Sequence, residues 1–290
     1  MNILVTGGTG FVGTNLIKGL LKDSKKHNIY SYDSYYIGKE ENHLPGVTYL
    51  NQDLAEGYWY IEDKIDLVYH LAAYSRIQPS IKDPKPTIKN NFLSTLNLLE
   101  TAADNNIPVI YSGSSSFHSG IYESPYAWSK HSGEQMCKLY SKHKKLKTMI
   151  CRFYNVYGPY QVESGKWSTV IGIFEKQFRD NKPLTIVGTG EQRRDFTHIE
   201  DIVSGLISMK ELIIKLESTF KTPVFELGRG KNYSINEIAD MFGKNYPRQY
   251  IPTRKGEYDI TLADLTAAET LLDYKPVKNI EDYVKNIVNT

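Results

Sequence analysis

The segment S-P-Y-A-W-S-K, residues 124–130, places Tyr126 four residues before Lys130. On a helix that spacing puts both side chains on one face, a turn apart. Ser124 suits a helix N-cap and Pro125 the first helical position, so Tyr126 falls in the first turn. A free phenol titrates at about 10, and both a nearby ammonium and a helix N-terminus favour its phenolate form. A tyrosine so placed can take up and return a proton near neutral pH. Y-x-x-x-K also arises on ordinary helices, and the chain has 22 tyrosines, so the pair needs a third element. The run Y-S-G-S-S-S at 111–116 supplies it, with Ser112, Ser114 and Ser115 near the end of a predicted strand. Ligands of open α/β sheets bind at such strand ends, where a hydroxyl can orient a reacting oxygen.

A second group is built to hold phosphate. T-G-G-T-G-F-V-G follows the first apolar run and spaces Gly7, Gly10 and Gly13 as G-x-x-G-x-x-G around Phe11 and Val12. Glycines there permit a tight turn and close approach of backbone amides, and the helix that begins in the loop offers unpaired N–H groups to a pyrophosphate. Asp33 ends the second apolar run, 20 residues beyond Gly13. An acid at that distance accepts the ribose hydroxyls of an adenosine and repels a 2′-phosphate, so NAD is favoured over NADP. Asp53, in N-Q-D-L after the third run, could contact the adenine or cap a turn; both readings stand on the sequence.

These residues need a frame to position them. N-I-L-V, I-Y-S-Y, V-T-Y-L, L-V-Y-H-L, P-V-I-Y-S and T-M-I-C-R-F read as strands. Val12, Leu16 and Leu20, and likewise Leu96, Leu99 and Ala103, recur at helical spacing. The alternation predicts βαβ units, an α/β fold with a doubly wound parallel sheet. The second half is less regular. P-L-T-I-V, P-V-F-E-L-G and Y-D-I-T-L-A read as strands, and S-I-N-E-I-A-D-M-F-G-K as a helix with Ser234 and Glu237 at capping-box spacing. The basic run 142–147 reads as a solvated helix end.

Composition narrows the partners. The 290 residues are 40% hydrophobic and 23% charged, enough for a sizeable core. With 35 basic and 33 acidic residues there is no electrostatic case for nucleic acid or a membrane surface. No apolar stretch reaches the roughly 20 residues of a membrane helix. Cys137 and Cys151 have no metal or redox spacing, no metal site is expected, and a reducing, cytoplasmic setting is.

Taken together, these motifs resemble the extended short-chain dehydrogenase/reductases, and more narrowly their nucleotide-sugar epimerase/dehydratase branch. H-L-A-A (70–73), N-N-F-L-S-T-L-N-L-L-E (90–100), R-F-Y-N-V-Y-G-P (152–159), G-T-G-E-Q-R-R-D-F-T-H-I-E-D-I (188–202) and R-K-G-E (254–257) extend the resemblance nearly end to end. It implies a Rossmann domain over 1–155 and 196–228, and a smaller, mixed α/β substrate domain over 156–195 and 229–290. It implies Tyr126, Lys130 and Ser114 as the reactive set, with Ser115 as the alternative to Ser114. It adds Leu54, Leu71, Ala72, Ala73, Asn91, Ser112 and Tyr154 to the NAD contacts. Ser114, Ser115, Asn155, Arg194 and Arg254 would meet a nucleoside-diphosphate sugar, with a UDP-sugar favoured, and two chains would pair as a homodimer. The implied reaction is C4 epimerisation through a keto sugar. A net reductase of a keto sugar and an NAD-binding sensor without turnover are the alternatives. The chain departs from the pattern with His118 and Ser119 for Tyr-Gly, Ser94 for a glycine, Glu226 for an asparagine, and a short 118–125 link. His118 is a further acid–base candidate. Ser115 and Ser116 stand where related dehydratases carry acids, which disfavours dehydration and decarboxylation.

Overall fold

The computed structural model describes residues 1–118, 120–216, 221–256 and 258–289. The six apolar runs of the first half form β1 (Asn2–Thr6), β2 (Asn28–Asp33), β3 (Val47–Asn51), β4 (Leu67–His70), β5 (Val109–Ser114) and β6 (Thr148–Phe153). Shorter strands follow: β7 (Val156–Tyr157), β8 (Leu184–Val187), β9 (Arg193–Asp195), β10 (Thr197–His198), β11 (Val224–Leu227), β12 (Asn232–Ser234) and β13 (Arg248–Ile251). The helices are α1 (Phe11–Leu21), α2 (Ile77–Lys82), α3 (Pro84–Ile88), α4 (Ser94–Asp104), α5 (Pro125–Lys144), α6 (Val170–Arg179), α7 (Ile199–Lys215), α8 (Ile235–Met241), α9 (Thr266–Leu272) and α10 (Ile280–Val288). A π-helical stretch, Lys89–Leu93, joins α3 to α4.

Seven strands make one parallel sheet in the order β3-β2-β1-β4-β5-β6-β11. The order reverses between β1 and β4, and the crevice beyond their C-terminal ends is where such a sheet binds ligands. Alternation along β1 sends Ile3 and Val5 to one face and Leu4 to the other. The first face packs on Leu16 and Leu20 of α1 and on Ile202 and Leu206 of α7. The second packs on Leu98 and Leu99 of α4 and Cys137 of α5. A third apolar cluster lies apart from the sheet and gathers Tyr157, Phe174, Ile186, Phe196, Ile238 and Val284.

Local signals behave as the chemistry demands. Ser124 Oγ accepts the Ala127 N–H at 3.1 Å and Pro125 opens α5. Ser234 and Glu237 form the expected capping box on α8. The predicted strand Y-D-I-T-L-A does not form. Only Ile260 bridges, to Arg193, and the Thr261 N–H reaches the Arg193 carbonyl at 3.0 Å. Ser119 and Glu257, two positions of the family comparison, lie outside the described residues. Among the described residues no helix is long and apolar enough to cross a membrane, and no group of His, Cys, Asp and Glu could hold a metal ion.

Candidate active site

A cavity of about 1510 Å³ opens at the β1/β4 crevice. Pockets for one drug-sized ligand span roughly 300–1,000 Å³, so two such molecules fit side by side. Gly7, Gly10, Phe11, Val12, Gly13, Asp33, Asp53, Leu54, Leu71, Ala72 and Ala73 line one end. Ser112, Ser114, Ser115, Tyr126, Lys130, Asn155, Arg194 and Arg254 line the rest. The sequence named all of these. It also named Asn91 and Tyr154, which are absent from the wall.

The first end fits a dinucleotide. Gly7 has φ +69°, and a Cβ there would sit 2.9 Å from the Ala72 backbone, so only glycine lets the loop approach β4. α1 starts at Phe11 with no side-chain cap and no acid in its first turn, leaving its leading N–H groups to an anion. Asp33 is held in place by the Thr9 N–H on Oδ2 at 3.1 Å and the Tyr35 N–H on Oδ1 at 2.9 Å. Asp53 does cap a turn, accepting the Ala55 N–H at 2.9 Å, while also facing the cavity.

The reactive residues converge because α5 lies close on β5. A Cβ on Gly133 would come within 2.1 Å of the Tyr111 hydroxyl, so glycine permits the contact. Lys130 is thereby buried, with Nζ 3.3 Å from Ser112 Oγ and 4.5 Å from the centre of the Tyr111 ring. Burial lowers the Lys130 pKa from 10.5 to about 8. Ser112 Oγ in turn donates to the His70 carbonyl at 3.0 Å. His70 bridges Thr6 and Thr95, and burial with the Lys130 charge takes its pKa to about 3, so it works as a neutral strut. Burial raises the Tyr126 phenol; a hydrogen bond with Ser114 and the charge of Arg76 act against that rise. The sequence expected Lys130 to acidify the phenol. The structure instead turns the ammonium to Ser112 and Tyr111, and Arg76 is the cation felt by Tyr126.

The far end of the cavity is basic. Arg194 is buried, donates to the Arg193 carbonyl at 2.9 Å and lies over the Tyr258 ring. Arg254 is exposed at the rim. The Asn155 amide donates to the Asp195 carbonyl at 3.1 Å and to Thr261 at 3.3 Å, holding the β6–β7 corner at φ +23°. Arg76 and the Tyr36–Tyr74–Trp167 aromatic cluster also face the cavity and were missed from sequence. The signal for Arg76 was available: it is the one charged residue between Asp66 and Lys82.

Three sequence expectations need correction. Asn91 is buried, with its amide on the Tyr74 backbone and on Ser129 Oγ at 2.9 Å, so it ties the 74 loop to α5 rather than touching a ligand. The Tyr154 side chain points away from the cavity and donates its hydroxyl to Glu226. His118 is no acid–base candidate in the main cavity, because it pairs with Glu226 and lines a second cavity of about 580 Å³ with Arg152 and Asp264. Glu226 also accepts the Asp264 N–H at 2.9 Å, and Arg152 beside it forks onto Glu134 at 2.9 and 2.7 Å. Two departures from the family pattern are thus each other's partner.

Residues 3–213 match the model of the NAD-dependent epimerase/dehydratase family. The chain belongs to that family. It is an enzyme of this type and NAD is its cofactor, consistent with the glycine cradle and the uncapped helix. A UDP-glucuronate 4-epimerase of Thermodesulfobacterium geofontis is 32% identical over 317 residues, covering 99% of this chain and 94% of the relative. A UDP-glucuronic acid 4-epimerase of Bacillus cereus, solved with UDP-glucuronic acid and NAD, superposes with TM-score 0.86 at 31% identity, covering 100% and 98% of the two chains. The UDP-glucose 4-epimerase of Thermotoga maritima, solved with UDP-glucose, gives TM-score 0.86 at 25% identity with the same coverage.

Proposed function

We propose that the enzyme epimerises a UDP-linked hexose at C4, and that Tyr126 is the group that moves the proton. The observation carrying this is the meeting of Tyr126, Ser114 and Lys130 in the cavity that also holds the dinucleotide cradle. The Tyr126 phenol takes the proton of the C4 hydroxyl and returns it, while Ser114, already in contact with that phenol, orients the reacting oxygen. NAD, which the Gly7–Gly13 loop and Asp33 would hold, would supply reversible hydride acceptance at C4. Lys130 would hold the nicotinamide ribose, and it keeps a positive charge near the reacting end at pH 7. Arg194 and Arg254 grip the diphosphate, for which guanidinium forks are matched in charge and shape. Ser115 and Ser116 supply no carboxyl group for expelling water or carbon dioxide, which favours simple epimerisation.

In this reading residues 1–155 and 196–228 carry the cofactor and the remainder carries the sugar nucleotide. The third apolar cluster, centred on Phe174 and Ile238, supports a separate substrate unit. Two chains pair through α4 and α5. Leu139 is 54% exposed on α5, and Trp128 stacks on Phe92 at 6.2 Å on the same side, which supports a covered face. Buried free thiols at Cys137 and Cys151 support a cytoplasmic setting.

The test is incubation with UDP-, dTDP-, GDP- and CDP-sugars, read by NMR for product stereochemistry. Tyr126→Phe is expected to lose about 10²–10⁴ in turnover while still binding NAD and sugar nucleotide. Wild-type turnover by that variant, or stoichiometric consumption of NAD(H), would refute the proposal.

A further inference from the structure

We propose that Arg76 reads a carboxylate on the sugar, so that the substrate is a nucleotide-linked acidic sugar rather than a neutral hexose. The inference rests on the epimerase reading for the identity of the ligand, and on the following geometry for its charge. Arg76 lies in the loop from β4 to α2 and lines the cavity shared with Tyr126. Its Nε donates to the Trp167 carbonyl at 2.9 Å and its Nη1 to the Ser75 carbonyl at 2.8 Å. Both partners are neutral, and Nη2 makes no hydrogen bond among the described residues. No carboxylate among them influences its titration; the Tyr126 phenol is the one acidic group that does.

The chain treats the buried guanidinium of Arg152 differently from the half-buried one of Arg76. Arg152 forks onto Glu134 and lies 3.5 Å from Glu226. Arg76 is half-buried, and this partial loss of solvent without a counter-ion pushes its pKa down. A charge left uncompensated beside the reacting phenol fits an anion that arrives with the substrate. The diphosphate is not that anion, because Arg194 and Arg254 already stand for it in the reading above. Trp167, which anchors Arg76, packs edge-on against Tyr74 at 5.6 Å and Tyr36 at 6.0 Å, so the guanidinium is fixed rather than free to follow the phosphates. The carboxylate can come from an oxidised C6, as in a uronate, or from an acid-bearing ether on the ring. The fork geometry recognises either.

The experiment is calorimetric binding to the NAD-loaded protein, wild type against Arg76→Gln and Arg76→Lys. The ligands are UDP-glucuronate with its neutral counterpart UDP-glucose, and UDP-N-acetylmuramate with UDP-N-acetylglucosamine. Wild type is expected to prefer one acidic ligand over its counterpart by at least about tenfold, a charged hydrogen bond being worth about 10- to 100-fold. The favoured pair names the source of the carboxylate. Arg76→Gln should collapse that ratio and Arg76→Lys should keep part of it. A wild-type preference for the neutral ligands, or a ratio untouched in Arg76→Gln, overturns the inference. So does a variant that loses NAD while keeping the ratio, or a wild type that binds none of the four. Turnover of the same ligands separates the two proposals. A charge-dependent ratio without epimerisation sinks the epimerase reading alone, and epimerisation with charge-blind binding sinks this one alone.

Discussion

Lys130→Met should make the NAD-free protein more stable and inactive at once. The ammonium, on α5, is buried against β5, and its pKa falls from 10.5 to about 8. At 1.36 kcal/mol per decade of proton affinity, holding that charge costs the folded state roughly 3 kcal/mol at pH 7. Methionine fills nearly the same volume, so no cavity opens. The variant gives up the weak Ser112 contact at 3.3 Å and the Tyr111 ring contact at 4.5 Å, together about 1–2 kcal/mol. The net expectation is a gain of about 1–2 kcal/mol. The sign with pH follows from linkage. Between about pH 8 and 10.5 the unfolded lysine holds a proton that the folded one has lost, so wild-type stability rises through that window. The advantage of methionine is therefore greatest below pH 8 and shrinks as pH approaches 10.5. Urea titrations at pH 7 and pH 10 measure both values. A variant less stable than wild type at pH 7, or one with the same advantage at both pH values, would refute the claim that burial of this charge is a strain the protein carries for its chemistry.

Asp33→Ala should relax the preference for NAD over NADP, read as the ratio of the two affinities. It should also destabilise the protein by about 1–3 kcal/mol, because the Thr9 and Tyr35 N–H groups lose their acceptor. An unchanged preference would remove Asp33 from the ribose. For the pairing of two chains, sedimentation at micromolar concentration should give twice the monomer mass, and Leu139→Asp should return it to the monomer. A wild-type monomer would refute the α4/α5 interface.

The parallel sheet was legible because fully buried strands are continuous apolar runs, and N-I-L-V and T-M-I-C-R-F need no context to be recognised. The glycine loop, Asp33 and the Tyr126 turn were legible because each depends on a backbone requirement that fixes residue type. The edges of the second half were not. Strands of two to four residues, such as β7, β9 and β10, take their form from tertiary pairing and leave no period to read. Y-D-I-T-L-A alternates like a strand, yet most of its backbone finds no ladder. Asn91 and Tyr154 sit in motifs whose neighbours line the cavity, but sequence cannot tell a polar side chain aimed at a ligand from one aimed at its neighbours. Arg76 failed in the opposite direction. It lies in no periodic element, and its meaning comes from the loop carbonyls that hold it and the acid that is missing beside it.

The coupling of His118 to Glu226 has a consequence for substitution at either position. Glu226 serves four groups at once: the imidazole, the Tyr154 hydroxyl, the Asp264 amide and the Arg152 guanidinium. Replacing Glu226 by a neutral amide would strand several of them together, and replacing His118 alone would leave the Glu226 carboxylate with one hydrogen-bond partner fewer. The two positions therefore act as one unit, and substitutions at 118 and 226 are expected to be non-additive in stability, as a double-mutant cycle would read.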